Sequence, residues 1–431
     1  MTHENLIARR KNVLPNALGT FNNATAVSAK GAIITDTEGR ELIDFAGGIG
    51  VLNAGHCPPV VVEAIVNQAQ KLIHSCFNVA MYAQYIELAE LLSELLPHGD
   101  HTKVMLTNSG AEAVENAIKI ARQATGKTGI LCFTGAFHGR SMMAMTLTSK
   151  TSNKQGCGPF APEVYRIDYP NYYKYGGGMG FDNYVNLEIQ KLHDFFYYQA
   201  EPAHLAAVII EVVQGEGGFN VVPARYLKAL RALCTQHNIL LICDEVQSGF
   251  GRTGAWGAYE HFGVTPDLST WAKSMGSGMP IGCLIGKAEL MDAAKPGTIG
   301  GTYLGNPVCC AASLATLKYM QEIDINKLGV EVGRIVKAKF ESMQHKYSCI
   351  GDVRGLGAML AFELVKNNDP HQPDTELCKK IVDLCHKKGL IVINSGAYGN
   401  VIRVLSPLTI EPHILHKGLE ILDEAINELT T

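Results

Sequence analysis

The sequence predicts an α/β protein, with a large domain on a mostly parallel β-sheet and a smaller α+β domain built from both ends of the chain. Three observations predict it. Short apolar runs alternate with longer amphipathic segments over most of the 431 residues, the pattern of a parallel sheet with crossover helices. From Lys327 onward the texture changes. A helix rich in Lys, Arg and Glu leads into the β-like stretch Ile350–Leu364, then a polar loop over 367–373 and two more amphipathic helices. The first fifty or so residues carry a hairpin-like segment, Ala32–Asp44, assigned to the same smaller domain. The expected boundaries are 1–55 for the N-terminal segment of the small domain, 56–325 for the large domain and 326–431 for the rest of the small domain.

After the hairpin, amphipathic patterns predict helices over Val60–Leu72 and Gln84–Leu96. Lys103–Thr107, Gly129–Phe133, Ala206–Ile210 and Ile239–Cys243 are short apolar runs of strand length and read as buried strands. A helix is expected over Ala111–Gln123 between the first two. Helices over Ala224–Gln236 and Asn306–Ile323 rest on apolar residues at three- and four-residue spacing. Tyr169–Gly180, rich in Tyr and Gly, reads as an exposed loop. No internal repeat is visible.

Bulk properties exclude several functions. The net charge is −4 with both signs mixed, which gives no electrostatic footprint for nucleic acid or an anionic membrane. No apolar run is long enough to span a bilayer, and the N-terminus lacks the pattern of a secretory signal. The twelve cysteines are irregularly spaced without C-x-x-C, and H-E-x-x-H is absent. No metal is expected, and the cysteines read as reduced residues of a cytoplasmic protein.

In open α/β sheets, function gathers in the loops after the strands. The run Ile239–Cys243 ends at Asp244-Glu245, and Lys273 follows among small residues. A lysine amine condenses with an aldehyde, and a carboxylate keeps a pyridine nitrogen protonated; together they suit pyridoxal phosphate. Strand Lys103–Thr107 runs through Asn108 and Ser109 to Gly110 and Ala111, where a helix begins with donors for an anion. Taken alone, that turn is better explained as an ordinary Ser-capped helix; set beside Asp244 and Lys273, it reads as an anion site. A rival exists in Gly126-Lys127-Thr128, which loosely matches the P-loop of ATPases. It ends a helix and leads into a strand, the reverse of what a phosphate cradle needs.

With these residues assembled, nearly the whole chain, from Asp44 to Thr409, resembles a class III (ω-amino acid) aminotransferase of fold type I. Within that family it is most similar to the 4-aminobutyrate aminotransferases. The motif over 244–249 and the Ala272-Lys273-Ser274 segment carry the likeness most specifically. The resemblance implies that Lys273 forms the imine with pyridoxal 5'-phosphate and moves the proton, and that Asp244 pairs with the ring nitrogen. Gln247 would bond the ring hydroxyl, Val246 would pack on one ring face, and Phe137 would stack on the other, with His138 beside it. Gly110 and Ala111 would hold the phosphate, joined by Thr302 across the interface of a homodimer or dimer of dimers. Val212, Ala111 and Phe137 stand where many relatives have a proline, a hydroxyl residue and a tyrosine; Glu211 is therefore expected only behind the site.

The same resemblance assigns the substrates. Arg140 would bind the carboxylate remote from the reacting amine, and Ile49 would lie beside the substrate chain, also across the interface. Glu216 and Arg403 would form a switchable salt bridge. An ω-amino acid has no carboxylate on its reacting carbon, so Glu216 neutralises Arg403; 2-oxoglutarate has one, so Arg403 is freed for a bidentate pair. The implied reaction is ping-pong transfer from 4-aminobutyrate to 2-oxoglutarate, giving succinate semialdehyde and glutamate. 5-Aminovalerate and acetylornithine or ornithine are the neighbouring donors. A cofactor-free binding protein of this fold is disfavoured because every chemical residue is present.

Overall fold

A seven-stranded sheet lies at the centre of the structure, a computed structural model that describes residues 2–430. Across the sheet the order is Thr102–Thr107, Gly282–Lys287, Leu268–Trp271, Leu240–Asp244, Leu205–Ile210, Gly129–Phe133 and Val164–Ile167. Gly282–Lys287 is antiparallel to both its neighbours; the remaining pairs are parallel. The four strands legible as apolar runs are all present, each within a residue or so of its expected ends. Leu205–Ile210 is buried along its whole length, as a parallel strand covered on both faces must be.

Three strands lay outside the apolar-run pattern. Leu268–Trp271 carries Ser269 and Thr270 inside a fully buried strand. Ser269 is satisfied locally: its Oγ accepts from Trp271 Nε1 at 2.6 Å and lies 2.8 Å from His98 Nε2. Val164–Ile167 is a half-buried edge strand, and Gly282–Lys287 is broken by glycines. Helix Phe181–Tyr198 and the N-terminal helix His3–Val13 were also not anticipated.

Helix Gly110–Thr125 shows why the P-loop reading fails. Ser109 caps its start, accepting from Glu112 N, and Gly126 ends it at φ 69°, its N–H donating to Arg122 O at 2.9 Å. Lys127 Nζ then caps the carbonyls of His237 and Asn238 at 3.1 and 2.8 Å. The stretch Tyr169–Gly180 corrects the loop expectation in part. Tyr169 is buried, its hydroxyl donating to the carbonyls of Glu211 and Val212 at 3.1 and 3.0 Å, and Tyr172–Tyr175 forms a short helix capped by Asn171.

Two smaller sheets flank this core. The N-terminal hairpin strands Ile33–Thr35 and Glu41–Asp44 pair with each other, and Glu41–Asp44 pairs in parallel with Leu390–Ile391 near the other end of the chain. The second sheet runs Ile350–Leu356, Met359–Leu364, Val401–Val404, Ile393–Ser395. Among the described residues no helix is long and apolar enough to cross a membrane.

Helix Ile325–Lys346 packs against the loop that follows Asp244. A Cβ on Gly329 would meet Gly251 O at 2.1 Å, and one on Gly333 would meet Gly357 O at 2.2 Å. Helix propensity alone favours alanine over glycine by about 1 kcal/mol. The contact reverses the sign, because backbone has no rotamer with which to give way. Gly329→Ala should lower the thermal unfolding transition, a loss of roughly 1–3 kcal/mol. A transition unchanged or raised would contradict this packing.

Candidate active site

The carboxyl ends of the parallel strands open onto a cavity of about 460 Å³. The central strand, Leu240–Asp244, delivers Asp244 to it. That carboxylate is 4% exposed, and its Oδ2 lies 2.6 Å from His138 Nδ1. Its Oδ1 accepts from Val246 N at 3.1 Å. With a carboxylate as acceptor, His138 Nδ1 carries the hydrogen. His138 is itself buried, and its main-chain N–H donates to Thr148 Oγ1 at 3.0 Å. Glu245, next along the chain, is buried away from the cavity. It accepts from Ser248 Oγ, Ala258 N and Tyr259 N, which fixes the loop after the strand; burial pushes its carboxyl up to about 7.

Lys273 begins a short 3₁₀ turn after strand Leu268–Trp271, in the left-handed region at φ 48°. Its neighbour Ser274 anchors the turn, donating from Oγ to Gly50 O at 2.9 Å. Burial lowers the Lys273 amine to about 8, Glu216 opposing that change and Arg403 adding to it. A lysine so placed holds far more neutral, nucleophilic amine at neutral pH than a surface lysine does.

Close backbone approach makes the rest of the cavity. A Cβ on Gly110 would meet Val246 Cγ2 at 2.7 Å, so only glycine lets the helix start sit against Val246. Gly139, at φ 136°, lets the Phe137–Arg140 turn approach Ala111, where a Cβ would come within 2.7 Å of the alanine methyl. Gly215 lies so close to Gln247 that a Cβ would meet its Oε1 at 2.6 Å. Phe137 is half-buried, and Arg140 is exposed with its Cζ 5.6 Å from the Phe137 ring centre.

Glu211 ties two walls together. Its Oε2 accepts from Phe137 N at 2.9 Å and its Oε1 from Gly215 N at 3.0 Å. Burial pushes its carboxyl up, with His138 working against that shift. Glu216, one residue past Gly215, meets Arg403 Nη1 through Oε1 at 2.6 Å. Arg403 is fully buried, and its Nε and Nη2 have no partner. Burial raises the Glu216 carboxyl, but the Arg403 guanidinium outweighs this and holds it below the usual carboxylate range.

The structure therefore gathers Lys273, Asp244, Gly110, Ala111, Phe137, His138, Arg140, Glu211, Glu216, Val246 and Gln247 around one cavity. Arg403 stands behind it through Glu216. Ile49 and Thr302 do not line this cavity; Ile49 is half-buried at φ 67° and Thr302 is exposed. Sequence reasoning missed Val51, Met279 and Pro280, which line the wall beyond Lys273 and carry no chemical signal. Gly139 was findable, as a glycine between two candidate residues.

This donor set fits an aromatic nitrogen heterocycle bearing an aldehyde and a phosphate. The helix N-terminus at Gly110 and Ala111 suits the anion, Asp244 a protonated ring nitrogen, and Lys273 the aldehyde. The unpartnered Oε1 of Gln247 leaves a buried polar atom free for such a group. Among the described residues no His, Cys, Asp or Glu cluster suits a metal ion. The rate at which cofactor-free protein captures pyridoxal phosphate as a borohydride-reducible adduct should follow an ionisation near 8, not one near 10.5. A profile still climbing towards 10.5 would show that Lys273 is not desolvated as described.

Known proteins place this geometry in a family. The pattern of the aminotransferase class-III family matches residues 18–426. The chain is 45% identical to a probable 4-aminobutyrate aminotransferase of Bacillus subtilis, covering 97% of this chain and 96% of that protein. It is 47% identical to the 5-aminovalerate aminotransferase of Pseudomonas aeruginosa, covering 99% of each. Its fold superposes on the taurine:2-oxoglutarate aminotransferase from Bifidobacterium kashiwanohense, solved with PLP and glutamate, at a TM-score of 0.93 and 27% identity over 100% of this chain and 98% of that one. With its lysine, acidic residue and glycine-built cavity on that common fold, the chain belongs to the class III aminotransferases.

Proposed function

We propose that this enzyme moves the terminal amino group of a short ω-amino acid, 4-aminobutyrate or 5-aminovalerate, to 2-oxoglutarate, with pyridoxal 5'-phosphate as its cofactor. The observation that carries this reading is the Glu216–Arg403 pair at 2.6 Å, on the wall of the cavity that holds Lys273. It is a buried guanidinium covered by a removable carboxylate. A site for α-amino acids alone needs only the guanidinium; a site that alternates between substrates with and without an α-carboxylate needs the cover.

Bound there, pyridoxal phosphate supplies an aldehyde that captures amines and a ring that takes up the electron pair left by a departing proton. The chain's own residues do the rest. Gly110 and Ala111 offer main-chain N–H groups to the phosphate. Asp244, held in orientation by His138 Nδ1, keeps the ring nitrogen's proton in place. Val246 and Phe137 are the apolar residues that would hold the ring, and Gln247 would bond its hydroxyl. Lys273 Nζ takes the proton from the amine-bearing carbon and holds it for return. Arg140, exposed at the mouth, binds the far carboxylate of the donor, and Glu216 keeps Arg403 neutralised meanwhile. When 2-oxoglutarate enters, its α-carboxylate takes the place of Glu216.

Relatives at 45% and 47% identity support the shorter and the longer donor about equally. A homodimer, or dimer of dimers, is part of the same reading. Ile49 and Thr302 lie outside this chain's cavity, as residues offered to a neighbouring subunit would. A division of the chain near residues 55 and 325 belongs to the same reading, supported by the grouping of the strands before 55 and after 325 into the two smaller sheets. A cytoplasmic location accords with twelve free cysteines.

Two measurements test the reading. Lys273→Ala should abolish turnover and the borohydride-reducible adduct while leaving the unfolding transition in place; normal turnover would end it. Donor profiling should rank 4-aminobutyrate and 5-aminovalerate above acetylornithine in kcat/KM. One methylene separates the first two by only ~1–3 kcal/mol. Acetylornithine as the preferred donor would move the assignment to that neighbouring activity.

A further inference from the structure

Glu216 is the member of the pair that has to move. Arg403 sits within strand Val401–Val404, paired with Met359–Leu364 on one side and Ile393–Ser395 on the other, and is fully buried. The Glu216 side chain lies in a loop and is 28% exposed. The backbone of that loop is fastened. Gly396 N donates to Glu216 O at 3.0 Å, Arg354 Nε to Gly218 O at 2.7 Å and Gly215 N to Glu211 Oε1 at 3.0 Å. Opening is therefore a side-chain rotation that takes a partly desolvated carboxylate off its guanidinium. A carboxylate in that position without a new cation is costly.

We propose that Lys150 receives the Glu216 carboxylate when the pair opens, which makes Lys150 a positioning residue for the 2-oxoglutarate half-reaction. This rests on the gate reading above and deepens it. Lys150 Nζ donates to Gly396 O at 3.2 Å, on the residue whose N–H holds Glu216 O. The ammonium is thus fixed on a turn that is itself bonded to the main chain of Glu216, and that bond occupies one of its three donors. The segment bearing it is anchored to the site, because Ser149 N donates to Ala136 O at 2.8 Å, one residue before Phe137. Burial raises the Glu216 carboxyl, and the cations that pull it down are Arg403, then Lys273, then Lys150. In the acceptor half-reaction Arg403 is occupied by substrate and Lys273 by proton transfer. Of these three, Lys150 is the cation left. The geometry also gives the closed state its stability: Arg403 holds Glu216 through a direct bond, whereas Lys150 waits on a carbonyl.

Half-reactions of the holoenzyme, followed by the absorbance change between its pyridoxal and pyridoxamine forms, separate the possibilities. Lys150→Met should raise the KM for 2-oxoglutarate roughly three- to tenfold. The 4-aminobutyrate half-reaction should change less than about twofold, since its gate stays shut. Lys150→Arg should restore the wild-type KM. In a Glu216→Gln background no charge needs a new partner, so adding Lys150→Met should have no further effect. A Lys150→Met effect that persists in that background would overturn the proposal and leave Lys150 as a prop for the Gly396 turn. Wild-type behaviour of Lys150→Met, alongside altered donor–acceptor balance in Glu216→Gln, would overturn it while the gate stands. If Glu216→Gln itself leaves that balance unchanged, the gate reading fails and this inference falls with it.

Discussion

The structure turns on a negative charge held in the middle of a sheet. Asp244 ends the central strand with its carboxylate almost wholly removed from water. Such a group is tolerable only with a donor against it, and His138 supplies one at 2.6 Å from a loop beyond a different strand. That single contact brings the Phe137–Arg140 turn over the strand ends. It also accounts for the glycines around it, because the turn reaches its place only where Gly110 and Gly139 let backbone and side chains close to van der Waals contact.

A second buried charge is handled differently. Arg403 is locked into a strand, with two of its nitrogens unpartnered, and is neutralised by a loop residue. On the proposed reading, the asymmetry between a cation fixed in a strand and an anion on a loop is what would let this pair act as a gate. Glu211 links the two charge systems: one carboxylate group holds main-chain N–H groups at Phe137 and at Gly215. Any movement of Glu216 would thereby be left to side-chain torsions, with the backbone at Phe137 and Gly215 held in place.

Much of this was legible before any coordinates. The continuous apolar runs Gly129–Phe133 and Leu205–Ile210 announce themselves because parallel strands need apolar residues on both faces. Leu268–Trp271 did not, since its two hydroxyl residues break the run, and one of the partners that satisfy Ser269, His98, lies far away in sequence. Of the site, Lys273 and Asp244 are readable as chemical types in the right places. The His138–Asp244 contact, 106 positions apart, and the bridging role of Glu211 are not, because they depend on how loops from separate strands fold over one another. Tyr169 misled for a related reason: a tyrosine in a glycine-rich stretch looks solvent-facing, yet two carbonyls accept its hydroxyl.

The lone antiparallel strand, Gly282–Lys287, has an effect on the lysine that its position at 273 does not advertise. Elsewhere in this sheet the chain leaves a strand at the functional rim and makes a long excursion before it re-enters. After Trp271 it turns and descends at once beside the strand it has just left, with Cys283 opposite Trp271. Lys273 therefore rides on a short tether pinned at both ends by adjoining rungs of the same ladder. Its reach is set by the side chain alone. Lengthening the 272–281 connection would loosen the amine without altering a single residue that touches it.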